Sequence, residues 1–164
     1  MSLIVLFVLA CGDDSGDGGP VIPVEGHWTV TSNAVLIDSC GLIQTDPPNG
    51  IPQGYTISDV DGDALSFVLQ GDLENDLQDC TVDGAAWACA DLVETESGSQ
   101  EGTSYTMTYT WSYSGRMESE TTIDLGILMA LSCMGDVELC RGIEDAYDIE
   151  FPCALSVEQA VAAD

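Results

Sequence analysis

Alternation of apolar and polar residues along most of the chain predicts antiparallel strands. The longest run is 103–113, where Tyr105, Met107, Tyr109, Trp111 and Tyr113 fall on one face and Thr106, Thr108, Thr110 and Ser112 on the other. Residues 117–125 repeat the pattern, with Met117, Ser119, Thr121, Ile123 and Leu125 opposite Glu118, Glu120, Thr122 and Asp124. A period of two marks a strand with one face in the core and one in water. A turn at Ser114-Gly115-Arg116 pairs odd positions with odd positions, so both apolar sets meet on one face and fix the register.

Shorter runs predict further strands at 27–33, 54–59, 64–69, 79–83, 86–92 and 147–151, giving eight in all. The steps Asp61-Gly62 and Asp83-Gly84 are turn signals between neighbouring strands. Residues 41–54, with Pro47, Pro48 and Pro52, read as a loop. Residues 126–146 are open: Ile127-Leu128-Met129-Ala130-Leu131 either extends the preceding strand or begins a short helix. Ser156 to Ala162 suggests a short capped helix, making 154–164 a C-terminal helix or tail. The expected fold is all-β, an eight-stranded antiparallel up-and-down barrel stapled by disulfides, with a two-sheet sandwich as the alternative. Closure would remove the exposed edges that invite aggregation.

The first eleven residues follow a different pattern. An unbroken apolar stretch ends at Ala10-Cys11, and Gly12-Asp13-Asp14-Ser15-Gly16-Asp17 follows at once. This stretch is too short to cross a bilayer, which takes about 20 residues, but suits the apolar region of a secretory signal. Val8-Leu9-Ala10-Cys11 resembles the bacterial lipobox, which implies a signal peptide at 1–10 and a lipid on Cys11 that anchors the chain to a bilayer. Residues 11–25 then read as a flexible acidic tether and 26–153 as the folded domain.

Charge narrows the function classes. The 164 residues hold 29 Asp and Glu against two Arg and no Lys, a net charge of −27. A surface of that sign repels phosphate backbones and anionic lipid, so no nucleic-acid partner is expected. Setting Cys11 aside leaves Cys40, Cys80, Cys89, Cys133, Cys140 and Cys153, an even set that reads as three disulfides among 15 connectivities. A two-residue loop at Gly84-Ala85 places Cys80 opposite Cys89, within reach of a bridge. For the other four, Cys133–Cys140 with Cys40–Cys153 is the preferred pairing.

Gly26-His27-Trp28, followed by Cys40-Gly41, hairpins and a late cysteine, resembles the lipocalin-like lipoproteins of Gram-negative bacteria. The resemblance covers residues 26 to about 153. It implies a calyx for a small apolar ligand, for which Trp28, Phe67, Tyr109 and Trp111 are the candidate lining residues, and a place in the bacterial cell envelope, at the outer membrane. The alternative is a structural or protein-interaction module with a filled barrel. The one histidine, His27, sits on an apparently regular strand, and no spacing singles out a pair among the acids, so a non-catalytic protein without a cofactor is expected. Asp59, Asp61 and Asp63 form a weak Ca²⁺ candidate that departs from the EF-hand pattern, with Ala64 where the loop needs glycine.

Overall fold

The computed structural model describes residues 21–43, 51–62, 64–70 and 77–164; the side chains of Phe67, Leu69, Gln70 and Leu77 lie outside that description. In chain order the elements are β1 (Gly26–Asp38), β2 (Gly54–Asp61), β3 (Ala64–Gln70), β4 (Leu77–Asp83), β5 (Ala86–Cys89), β6 (Leu92–Gln100), β7 (Thr103–Ser119), β8 (Thr122–Gly135), α1 (Val137–Tyr147) and β9 (Cys153–Ala163). One antiparallel sheet runs in the order β5-β4-β3-β2-β1-β9-β8-β7-β6, and β5 also pairs with β7. That last pairing closes eight strands into a ring, with β6 attached to β7 as the ninth. One sheet returning on itself replaces the two facing layers of a sandwich.

β7 is long enough to serve two partners. Its C-terminal part meets β5 at Ser114–Arg116, and its N-terminal part carries β6 from Thr103 to Trp111. Continuity of β7 corrects the expected turn at 114–116: the chain turns instead at Glu120-Thr121. Gly115 is a packing glycine, because a Cβ there would strike the Asp124 carbonyl and fall 2.7 Å from Trp87 Nε1. Odd positions still pair with odd ones, as in Met117–Ile123 and Tyr113–Ile127, so the apolar faces coincide as expected.

Three further expectations are corrected. The segment expected as a C-terminal helix or tail at 154–164 is strand as far as Ala163: Leu155, Val157, Gln159 and Val161 alternate into the interior, and β9 pairs with both β8 and β1. Period two here overrides the helical propensity of the alanines. The strand expected at 147–151 is absent, since Tyr147 ends α1 and Phe151-Pro152 is a cis peptide in the connection to β9. β6 extends through 92–100, beyond the expected end at 92; its run of Ser, Thr and Glu lacks an apolar face because it pairs only with β7. Ile127–Leu131 extends β8, and the helix begins only after Asp136, whose carboxylate accepts from Glu138 N and Leu139 N at 3.0 and 3.1 Å.

The tether expectation narrows as well. Residues 1–20, including Cys11, lie outside the described residues, but 21–25 are docked on the ring. Val24 N donates to Glu120 O, Trp28 Nε1 donates to Val24 O, and Glu25 accepts from Val60 N. The other end of the domain is held too: Asp164 accepts from Thr29 Oγ1 at 2.6 Å and donates through its backbone to His27 O.

Side chains fill the middle of the ring. Trp28, Tyr55, Tyr113, Met117, Leu125, Ile127, Leu155 and Val157 are fully buried in one continuous core. Two disulfides, Cys40–Cys153 and Cys80–Cys89, lie in this core, and a third, Cys133–Cys140, joins β8 to α1. Cys80 and Cys89 are direct cross-strand partners on β4 and β5, with Gly84 left-handed (φ 63°) in the connecting turn.

One polar network crosses this core. Gln159, 2% exposed, accepts from the Tyr55 hydroxyl and donates to Asn33 Oδ1 at 2.6 Å and Pro52 O at 3.0 Å. Burial, with Tyr113 close by, holds the Tyr55 phenol far above its usual range near 10. Above pH 10 the unfolded chain therefore loses a proton that the folded chain keeps. Its stability falls with rising pH, by about 1.4 kcal/mol per pH unit from this group. Urea midpoints at pH 9, 10 and 11 are expected to decline, and Tyr55→Phe should make that decline shallower. An unchanged alkaline slope in the variant would assign the loss to other groups.

Candidate ligand-binding site

β7 continues past its short pairing with β5, with β6 beside it, and β8, β9 and the second half of β1 extend with it beyond β2. Met107, Tyr109, Met129 and Leu131 project from these extensions on the core-facing side. In a meander this apolar surface would face water. Here α1 lies against β7 and β8, tied to β8 by Cys133–Cys140. At its far end Asp148 adopts the left-handed conformation (φ 56°), and the Glu144 side chain accepts from Phe151 N at 2.7 Å. The helix and the segment after it form a wall over the strand extensions. None of its residues is fully buried, so it covers a gap rather than filling one.

That gap is a cavity of about 310 Å³, lined by Leu42, Glu96, Tyr105, Met107, Tyr109, Met129, Leu131, Ile143, Tyr147 and Ile149. The volume lies at the small end of the roughly 300–1,000 Å³ typical of small-molecule sites. Methionines at its floor offer polarizable, adaptable surface. The polar groups that line it are the tyrosine hydroxyls and the Glu96 carboxylate. Glu96 is the direct cross-strand partner of Met107 and therefore shares its face. Partial burial raises the Tyr109 phenol above its usual range, and the Glu96 and Glu94 carboxylates, with Tyr147 and Tyr105, add to the shift.

Of the four aromatic residues expected to line a ligand site, Tyr109 lines this cavity, and among the described side chains Trp28 and Trp111 do not. Trp28 is fully buried and pairs with Ala163, near the other end of β8, with its indole N–H on Val24 O. Trp111 packs half-buried against the core. The Phe67 side chain lies outside the described residues, although its backbone pairs with Ile57 on β2. The sequence reading overlooked Glu96, Ile143, Tyr147 and Ile149. Glu96 sits on a strand with no apolar period, and the other three reach the cavity through a helix and a loop far along the chain from β6 and β7.

The other candidates stand apart. Asp59 (φ 52°) and Asp61 are exposed in the β2–β3 turn beside Gly62, and Asp63 lies outside the described residues. Among the described residues no three His, Cys, Asp or Glu side chains gather to hold a metal ion. His27 projects from the outer side of β1, 3.6 Å from Asp164. No family model, curated protein or solved structure matches the chain.

Proposed function

We propose that this protein is a non-catalytic, lipid-anchored lipoprotein of the bacterial envelope, whose lipocalin-like barrel binds a small, largely apolar ligand. The observation that carries the ligand reading is the cavity at the end of the ring, walled by Met107, Met129, Leu131, Ile143 and Ile149. Because the centre of the ring is packed, the site is a shallow calyx at one mouth rather than a deep one along the axis. The anchor rests on the Val8-Leu9-Ala10-Cys11 run and on cysteine parity: three disulfides use six of the seven cysteines and leave Cys11. Among the described residues no helix is long and apolar enough to cross a membrane.

Packing at the centre of the ring also favours the second reading, an envelope interaction module with no ligand. Titration with the neutral fluorophore N-phenyl-1-naphthylamine separates the two. Saturable binding that Ile143→Trp abolishes is expected, since the indole would fill the cavity from its half-buried helical wall. Absence of binding to the wild-type chain would leave the interaction module. Mass spectrometry of protein purified from its own envelope should show a diacylglycerol adduct on Cys11, and an unmodified Cys11 would remove the anchor.

A further inference from the structure

We infer that the ligand is a cationic amphiphile, an alkylammonium or quaternary ammonium head on a short hydrocarbon body, with the head held among Tyr105, Tyr109 and Tyr147 beside Glu96. This deepens the proposed ligand-binding reading and rests on it.

Three of the chain's five tyrosines line this one cavity, together with one carboxylate. The face of an aromatic ring attracts a cation within about 6 Å, most strongly where water is partly excluded. Tyr105 owes its position to a glycine across the β6–β7 ladder: a Cβ at Gly98 would fall 2.5 Å from Tyr105 Cε1, so any larger residue would displace the ring. Tyr147, the last residue of α1, is largely exposed at the mouth. Tyr109 is half-buried and lies deeper, with its hydroxyl 4.0 Å from Met107 Sδ.

The protein supplies no cation of its own here. The chain has no lysine, and its two arginines pair elsewhere, Arg116 with Glu118 and Arg141 with Glu138. Among the described residues Glu96 has no ion-pair partner. A net charge of −27 concentrates cations around the molecule and works against an anionic ligand such as a fatty acid. Leu131, Met129 and Ile149 then accept the hydrocarbon part. Polar aromatic rim, single carboxylate and apolar floor together match an ammonium amphiphile better than a neutral hydrocarbon.

Calorimetric titration of the full chain with hexyltrimethylammonium, 1-heptanol and hexanesulfonate tests this, in 0.5 M salt to screen the diffuse field. The ammonium probe is expected to bind at least about tenfold more tightly than the alcohol, and the sulfonate to show no binding. Glu96→Gln should reduce ammonium affinity severalfold, and Tyr147→Ala about threefold, the effect of an exposed cation–π contact. Both positions are exposed, so neither change threatens the fold. Equal binding of ammonium and alcohol, or ammonium binding indifferent to both substitutions, would overturn the cationic assignment and leave the apolar site standing. Failure of all three probes to bind would overturn both readings.

Discussion

Replacing Cys40 and Cys153 together by serine is expected to lower the unfolding free energy by about 5 kcal/mol, more than loss of either of the other two bridges. These cysteines are 113 residues apart. In the chain-entropy view a bridge restricts the unfolded chain, and the effect grows with the logarithm of the loop it closes, reaching about 5 kcal/mol at this separation. The local structure adds to the dependence. β2 pairs with β1 only from Gly26 to Thr29, whereas β9 follows β1 as far as Asp38. The second half of β1 is therefore held along one side by β9, and the bridge fastens its end to the start of that strand. Ser39 and Ala154 reinforce the junction through reciprocal backbone and hydroxyl hydrogen bonds. The same substitution at Cys133 and Cys140, seven residues apart, should cost only about 2–3 kcal/mol. Urea titrations of the two double variants check the ordering. A larger loss at Cys133–Cys140 would mean that packing of α1, not loop entropy, governs the contribution of the bridges.

Gln159→Leu is expected to cost about 3 kcal/mol although leucine is nearly the same size and more apolar. The amide sits where β9, β1, β2 and the Pro52 segment converge, and its three hydrogen bonds span sequence separations of more than 100 residues. Leucine removes the acceptor used by the Tyr55 hydroxyl and the donor used by Asn33 and Pro52. A buried polar group that loses its partner costs about 1–3 kcal/mol, and members of one network do not act independently. A double-mutant cycle with Tyr55→Phe measures the coupling. The phenylalanine change should destabilise the Gln159→Leu background less than the wild type, by at least about 1 kcal/mol. Additive losses would show that the two side chains act separately.

Much of the strand pattern could be read from the chain because each strand has one wet face. Tyr105 to Tyr113 and Ile123 to Leu125 alternate without exception, and the structure places both odd sets inside. Cys80 and Cys89 could be paired because a two-residue loop at Gly84-Ala85 fixes the register between them, and a period of two does the rest. β9 was misread because Ala160, Ala162 and Ala163 carry helical propensity, while a single buried polar residue, Gln159, masks the alternation. β6 escaped notice for the opposite reason: a largely exposed strand that pairs only with β7 needs no apolar period.

The candidate site was legible only in part. Tyr109 and Met107 stand out as inward residues of a long strand, but nothing local says that β7 runs on past β5. That follows from Gly115, which reads as a turn residue and in fact lets the Trp87 side chain pack against an unbroken β7. By itself the sequence determined the strand character of the chain, its excess of negative charge and the even set of cysteines, because these depend on residue type and short spacing. Only the tertiary structure decided which strands close the ring, where the interior is packed and where it opens. It also decided which side chains α1 brings over the gap, since those depend on contacts between residues far apart in the chain. Closure by β5 takes up only Ser114–Arg116 of β7, and that mismatch in length leaves the cavity beside the N-terminal part of β7.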